Sequence, residues 1–398
     1  MKKLTLLQFG KTAFYIGAIG YGGPAIIAQM KKKLVHEKEW VAEEDFMNTL
    51  SLAQILPGAT GVSLMGYLGY KLKGIAGWLL GSFLYVLPAF FFTTILAWLY
   101  FQFDSLSIVQ KLFGGLGALV VALLINAIIQ LSKSVFGKAD IRDYKGVIIA
   151  LVGFLLAVFT HVNIVLIILT SGFLGFVFYF FTKEFESIKL GETKPAKTVF
   201  IGGIITKDIA YLLIGLVGAG VILALTGSIF WKLFSTFSQI GVIAFGGGFT
   251  TIPLIQHIVV DGNHWLSLIQ FRDGIAIGQI TPGPVFITAA FIGYKVAGWL
   301  GAIFATLGIF LPSLLLMLIL GKFHEQIKHL KLVRVIIKGF LAGFIGIIAS
   351  VALQFGEKSL INWQTWAIFL ISLVVIVKFK KDVIWTILGT ILVSLLVF

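Results

Sequence analysis

The chain has 398 residues, 59% hydrophobic and only 12% charged, roughly half the ~25% charged fraction of a soluble domain. Thirty-seven Phe and nine Trp add apolar surface that a soluble core cannot hide, so lipid is the solvent for most of it. Cys is absent, which excludes disulfides, thiolate metal sites and Cys nucleophiles; the net charge of +14 fits Lys and Arg gathered in cytoplasmic loops rather than a nucleic-acid face, which would need aromatic-basic interleaving in a polar domain.

Charge-free stretches mark the candidate spans, and 12–30, 46–70, 74–103, 112–132 and 146–182 come first. Met1-Lys2-Lys3 ahead of them reads as a retained start, because no A-x-A-type cleavage site follows. A crossing takes about 20 apolar residues. Stretch 146–182 therefore holds two spans, with Thr160-His161-Val162-Asn163 as the turn. The mixed-charge interval 183–208, containing Gly191 and Pro195, reads as a linker. Stretches 209–231, 233–260, 274–294, 296–321, 339–356, 359–377 and 383–398 bring the total to thirteen hydrophobic segments.

The later segments repeat the earlier ones. A shift of 224 places Gly17, Gly22 and Gly23 on Gly241, Gly246 and Gly247, and a shift of 225 places Trp40, Gln54 and Pro57-Gly58 on Trp265, Gln279 and Pro282-Gly283. The 224 shift returns for Gly69-Tyr70-Lys71 on Gly293-Tyr294-Lys295, and for Pro88 and Gly115 on Pro312 and Gly339. Matched Trp, Pro, Gln and Lys at fixed spacing do not arise from apolar composition alone. Six segments precede 209–231 and six follow it, so this unpaired span turns the second set upside down. The fold expected is an all-α polytopic membrane protein with two inverted-topology repeats carrying broken helices or re-entrant hairpins. The regions expected are 1–182 for the first repeat, 183–231 for the linker plus unpaired segment, and 232–398 for the second repeat.

Four segments are broken in the middle, at Gly20-Tyr21-Gly22-Gly23-Pro24, Pro57-Gly58, Phe245-Gly246-Gly247-Gly248 and Thr281-Pro282-Gly283-Pro284. Each interior Gly costs a helix about 1 kcal/mol and each interior Pro about 3. Unwound backbone at membrane depth survives only where protein buries it or it lines a cavity, and matched breaks in two halves point to a transport site. If these four segments re-enter instead of crossing, nine crossings remain. Lys31, Lys32, Lys33 and Lys38 then join a cytoplasmic N-terminus, as the positive-inside rule favours. The residues leave full crossing and re-entry both open. Pro88 and Pro312, with no Gly beside them, read as structural kinks, and Gly339 and Gly343 as close helix packing.

A half-helix starting after each break presents free N–H groups worth roughly +0.5 charge, so four give at most about +2, the scale of a divalent oxyanion. The candidate binding residues are Gly22, Gly23, Gln54, Pro57, Gly58, Thr60, Gly246, Gly247, Gln279, Thr281, Pro282, Gly283 and Pro284, with Ser63 and Thr288 as further hydroxyls. Lys71 and Lys295 lie about a dozen residues past the breaks, roughly 18 Å along a helix, and suit guidance of an approaching anion. Glu44, Asp45, Asp273 and His257 are the titratable candidates for proton coupling; solvated caps also explain the first two, and pairing with Arg272 the third. No metal or cofactor is expected. Gly10-Lys11-Thr12 lacks the first Gly of a Walker A loop, the G-x-G-x-x-A at Gly20 follows no strand, and the six His residues form no zinc motif.

The paired Gly-Gly and Pro-Gly breaks, with Trp40 and Trp265 before the second break and Gly-Tyr-Lys after it, resemble the chromate ion transporter family. The resemblance covers roughly 5–135 and 230–398 and is most specific at Phe245-Gly246-Gly247-Gly248 and Gln279-Ile280-Thr281-Pro282-Gly283-Pro284. The family's usual Pro-Gly-Pro is Pro57-Gly58-Ala59 here, and Met65 stands where small residues are typical. The resemblance implies chromate efflux across a bacterial cytoplasmic membrane, driven by the proton-motive force, with sulfate as a close mimic. It also implies two halves of opposite orientation. The partners expected are the oxyanion, the lipid bilayer and, as a candidate, a second copy of the chain. A passive anion channel and a lipid-modifying membrane enzyme are the competing functions, the latter lacking a carboxylate or His cluster at either membrane face.

Overall fold

Apolar residues without interruption, closed by polar caps, make helix the only backbone state that satisfies itself in lipid. The computed structural model describes residues 4–21, 23–137, 143–160, 162–180, 207–321, 331–380 and 382–398. Among them are fifteen helices and no strand. Thr5 opens α1 (Leu6–Ile19) with a capping box to Gln8, and α2 (Gly23–Lys31) runs on into a π-helical turn at Lys32–Glu37. Next come α3 (Glu43–Ile55), α4 (Thr60–Phe103), α5 (Ser107–Phe136), α6 (Tyr144–Phe159), α7 (Ile164–Phe180) and α8 (Lys207–Leu225). They are followed by α9 (Ile229–Ile243), α10 (Thr251–Gln256) with a π turn at His257–Gly262, α11 (Leu268–Ile280) and α12 (Thr288–Leu320). Helices α13 (Lys331–Ser359), α14 (Trp363–Val377) and α15 (Val383–Val397) complete the chain. Residues 183–206 of the expected linker 183–208 lie outside the described residues, as does His161; on either side of it α6 ends at Phe159 and α7 starts at Ile164.

α4 is long enough to span a membrane, yet it is two arms. Lys73 and Gly74 leave helical geometry, Gly74 at φ +62 and ψ −153, so arms 60–72 and 75–103 fold against each other with Gly69 on the backbone of Gly77. α12 bends alike at Ala297 and Gly298 (φ +60, ψ −149), where Gly293 meets the backbone of Gly301. Pro88 and Pro312 both sit inside the second arms of these helices.

The chain divides into two compact units. The first draws on Met1–Gln102, Pro195–Gly248 and Ile277–Lys328. In it, both broken segments of the first half double back. The rings of Phe9 and Trp40 lie 6.4 Å apart, although α1 and α2 run between them, and Lys71 pairs with Asp45 at 3.1 Å across α3, its break and the first arm of α4. A straight helical path from residue 9 to 40 would cover roughly 45 Å. Lys31 meets Glu43 at 2.6 Å, which brings the outer ends of the two hairpins to one level.

The second unit draws on Phe103–Lys194, Phe249–Ala276 and His329–Phe398. α13 runs through it against α5, α6 and α7, with Val135, Ile149, Ala150, Val335, Ala342 and Ile345 in its core. Gly339 approaches Gly175, and Gly343 approaches Ser171, the close packing expected of small residues in membrane helices. Asp143 caps α6 through the Gly146 N–H, accepts from the Tyr179 hydroxyl at 2.5 Å and pairs with Lys338 at 2.5 Å. Burial pushes its carboxyl up, but the bonds from Lys338, Tyr179 and Gly146 outweigh it and hold the value below the ordinary Asp range. A folded value below the unfolded one stabilises the protein above about pH 4, and that contribution is lost as pH falls through the lower folded value. Asp143→Asn is therefore expected to lower the thermal midpoint at pH 7 and to flatten its fall between pH 5 and 3, read by unfolding in detergent.

Candidate functional site

Each break leaves backbone groups that cannot bond within a helix, and the fold pairs them across the two halves of the chain. α3 stops at Ile55, and the N–H of Gly58 donates to the carbonyl of Ala244, just past α9, at 2.7 Å. α11 stops at Ile280, and the N–H of Gly283 donates to the carbonyl of Gly20, just past α1, at 2.8 Å. Tyr21 and Gly283 form an isolated parallel bridge there. The two bonds are related by the sequence shift: Gly20 corresponds to Ala244, and Gly58 to Gly283. All four breaks thus meet within the first compact unit.

Only glycine fits at the two donor positions. Gly58 has φ +106 and Gly283 φ +125, conformations that L side chains rarely adopt. A Cβ on Gly283 would lie 2.6 Å from Ala89 Cβ, and one on Gly58 would collide with Ser313 Cβ. Ala89 and Ser313 directly follow Pro88 and Pro312, so each tip docks on the crossing helix of the other half.

The described side chains named around the tips are neutral. Thr281 lies 3.1 Å, oxygen to oxygen, from Thr93 on the second arm of α4, and also donates to the Gly278 carbonyl. Thr288 donates to the Val285 carbonyl, and Gln279 buries an amide nitrogen without a protein partner. Pro57 is buried and Thr60 opens the first arm of α4; Gly246 and Gly247 adopt φ +85 and +105 beside the Ala244 acceptor; Pro282 and Pro284 flank Gly283. Gly23 begins α2, and Gly22 lies outside the described residues. Gln54, matched in sequence to Gln279, is exposed instead. α10 has six residues and runs on into the π turn at His257–Gly262, as α2 runs on into Lys32–Glu37.

The charged candidates of the first unit stand apart from the tips. Glu44 and Asp45 lie in the first turn of α3, about 18 Å along the helix from Pro57. Lys71 is tied to Asp45, and Lys295 sits 4.6 Å from the centre of the Phe101 ring. In the second unit, Asp273 pairs with Arg272 at 2.7 Å, as adjacency suggested, and His257 faces Asp261 at 3.8 Å. Burial pushes the Asp261 carboxyl up against the lowering pull of His257 and His264.

Ala89, Thr93, Ser313 and the acceptor carbonyls of Gly20 and Ala244 were not among the sequence candidates. The matched prolines Pro88 and Pro312 were the available signal, since each stands next to a docking residue.

An all-helical integral membrane protein whose four broken segments join at their tips is the class these features define. The chain belongs to the chromate transporter family, whose sequence profile matches residues 7–176 and again 231–395. It is 33% identical to an uncharacterized transporter of Methanocaldococcus jannaschii, over 91% of this chain and 87% of that one. It is 32% identical to a probable chromate transport protein of Synechococcus elongatus, over 93% of this chain and 89% of the relative. Identity to a chromate transport protein of Cupriavidus metallidurans is 29%, over 95% and 89% of the two chains. No solved structure matches the chain.

Proposed function

We propose that the protein is a secondary active transporter that carries chromate, or a sulfate-like tetrahedral dianion, across the cytoplasmic membrane and exports it using the proton-motive force. The observation that carries this reading is the reciprocal pair of backbone bonds, Gly58 to Ala244 and Gly283 to Gly20, which gathers every broken segment at one place. The described side chains named around it are amide and hydroxyl donors with no Lys or Arg among them, a set suited to an anion that must leave again. The family and its chromate-transporting relatives point the same way.

The two halves, 1–182 and 232–398, act as inverted repeats around this site, with 183–231 as linker and unpaired span. Matching bends at Gly74 and Gly298, and matching π turns at Lys32–Glu37 and His257–Gly262, support the duplication. The hairpin return from Phe9 to Trp40 supports re-entry and nine crossings, and it puts the Lys31–Lys33 cluster on the side of a cytoplasmic N-terminus. The His257–Asp261 pair serves as the proton acceptor, ahead of Glu44, of Asp45, which is paired with Lys71, and of Asp273, which is paired with Arg272. Lys71 and Lys295 lie outside the binding step and guide the anion's approach.

The test is uptake of labelled chromate and sulfate into vesicles holding the purified protein, with and without an imposed pH gradient. Accumulation against the anion gradient, collapsed by a protonophore, is expected. Flux that only equilibrates would make the protein a channel, and no flux above that of empty vesicles would sink the oxyanion reading.

A further inference from the structure

The two half-sites differ at a pair of buried positions. Tyr85, on the second arm of α4, is 0% exposed, and its hydroxyl has no hydrogen-bond partner in the protein. Buried hydroxyls are almost always paired, so an orphan of this kind asks for a missing acceptor. Its oxygen lies 2.8 Å from where a Cβ on Gly61 would stand, over the first turn of the helix arm that begins at Thr60. In that turn the Ser63 N–H already donates to Ala59 at 3.0 Å. The amides of Thr60, Gly61 and Val62, as the first amides of a helix, have no acceptor within it.

The second half places hydrocarbon at the matching positions. The 224 shift carries Tyr85 to Ile309 and Gly61 to Val285. Ile309 keeps the backbone role, since its carbonyl packs on Gly241 as the Tyr85 carbonyl packs on Gly17. Its side chain offers no donor. Val285 carries a branched side chain where Gly61 has none, and it packs against Gly248.

We propose that the Tyr85 hydroxyl is a direct ligand of a tetrahedral oxyanion, seated with it on the free amides of Thr60–Val62, so that the first half holds the substrate and the second serves as its frame. This rests on the oxyanion reading above. A phenol is a neutral donor, which suits an anion carrying charge but no proton: the Tyr85 O–H gives its hydrogen to an anion oxygen, and the helix N-terminus supplies the compensating partial charge.

The variants are Tyr85→Phe, which removes one oxygen and keeps the ring, and Gly61→Ala, whose methyl displaces the hydroxyl. Full-length protein is used for flux against chromate and sulfate concentration in vesicles. The rise in thermal midpoint that each anion produces in detergent is measured alongside. A hydrogen bond to a charged group predicts that KM rises about ten- to hundredfold in both variants, with the maximal rate falling far less and the anion-induced stabilisation shrinking in step. KM and stabilisation within twofold of the unaltered protein in both variants would overturn the assignment while leaving oxyanion transport standing. If the unaltered protein neither moves nor is stabilised by either anion, the oxyanion reading falls and takes this assignment with it.

Discussion

Gly58→Val is expected to bring chromate flux down by about a hundredfold or more, the scale set by misplacing a binding group by an ångström, while the protein still inserts in the membrane. Two costs act together. A β-branched residue held at φ +106 stores on the order of 1–3 kcal/mol of backbone strain. Its Cβ also falls on Ser313 Cβ, and forcing a side chain into a filled space adds about 1–3 kcal/mol. Relief requires the tip to back away from α12, which pulls the Gly58 N–H from the Ala244 carbonyl. Ser313→Gly removes the clash but not the strain, so Gly58→Ala combined with Ser313→Gly should regain part of the flux that Gly58→Ala loses. Equal loss in the single and double variants would show that tip docking is not what the glycine serves.

The other large effect is expected on stability. Arg272 is 7% exposed and Asp273 3%, and the guanidinium donates to the carboxylate at 2.9 and 2.7 Å and to Ser359 at 3.0 Å. Gly117 makes room for it: a Cβ there would lie 2.7 Å from Arg272 Cζ. Arg272→Met takes the guanidinium from a buried carboxylate and Asp273→Leu takes the carboxylate from a buried guanidinium, and breaking a buried pair from one side costs about 3–5 kcal/mol. The double substitution leaves neither charge buried and should recover most of the loss. Unfolding midpoints in detergent check this, and additive losses in the double variant would refute a coupled pair.

Composition and Gly-Pro spacing made the helical membrane class, the four breaks and the turn between α6 and α7 readable, because each follows from local backbone preference. Hydropathy could not separate crossing from re-entry, since both need the same apolar run. The doubling back of these segments shows in the contacts of Phe9 with Trp40 and Asp45 with Lys71, which no local pattern encodes. The docking of Gly58 on Ser313 and Gly283 on Ala89 was hidden for the same reason, and the prolines beside the docking residues read only as kinks. The pairing of Lys71 with Asp45 was likewise invisible, because the two lie in different helices. Gln54 and Gln279 looked equivalent in sequence, yet one is exposed and the other buries its amide.

The exchange of backbone bonds between the breaks also bears on how the chain is made. Gly58 N–H has its acceptor at Ala244, which a ribosome adding about 5–20 residues per second delivers roughly ten to forty seconds later. Over that interval a polar group destined for burial has no mate, and in hydrocarbon such a group costs several kcal/mol. The first half therefore cannot settle its second hairpin on its own. It waits, shielded by water or by the insertion machinery, until the second half arrives to close it.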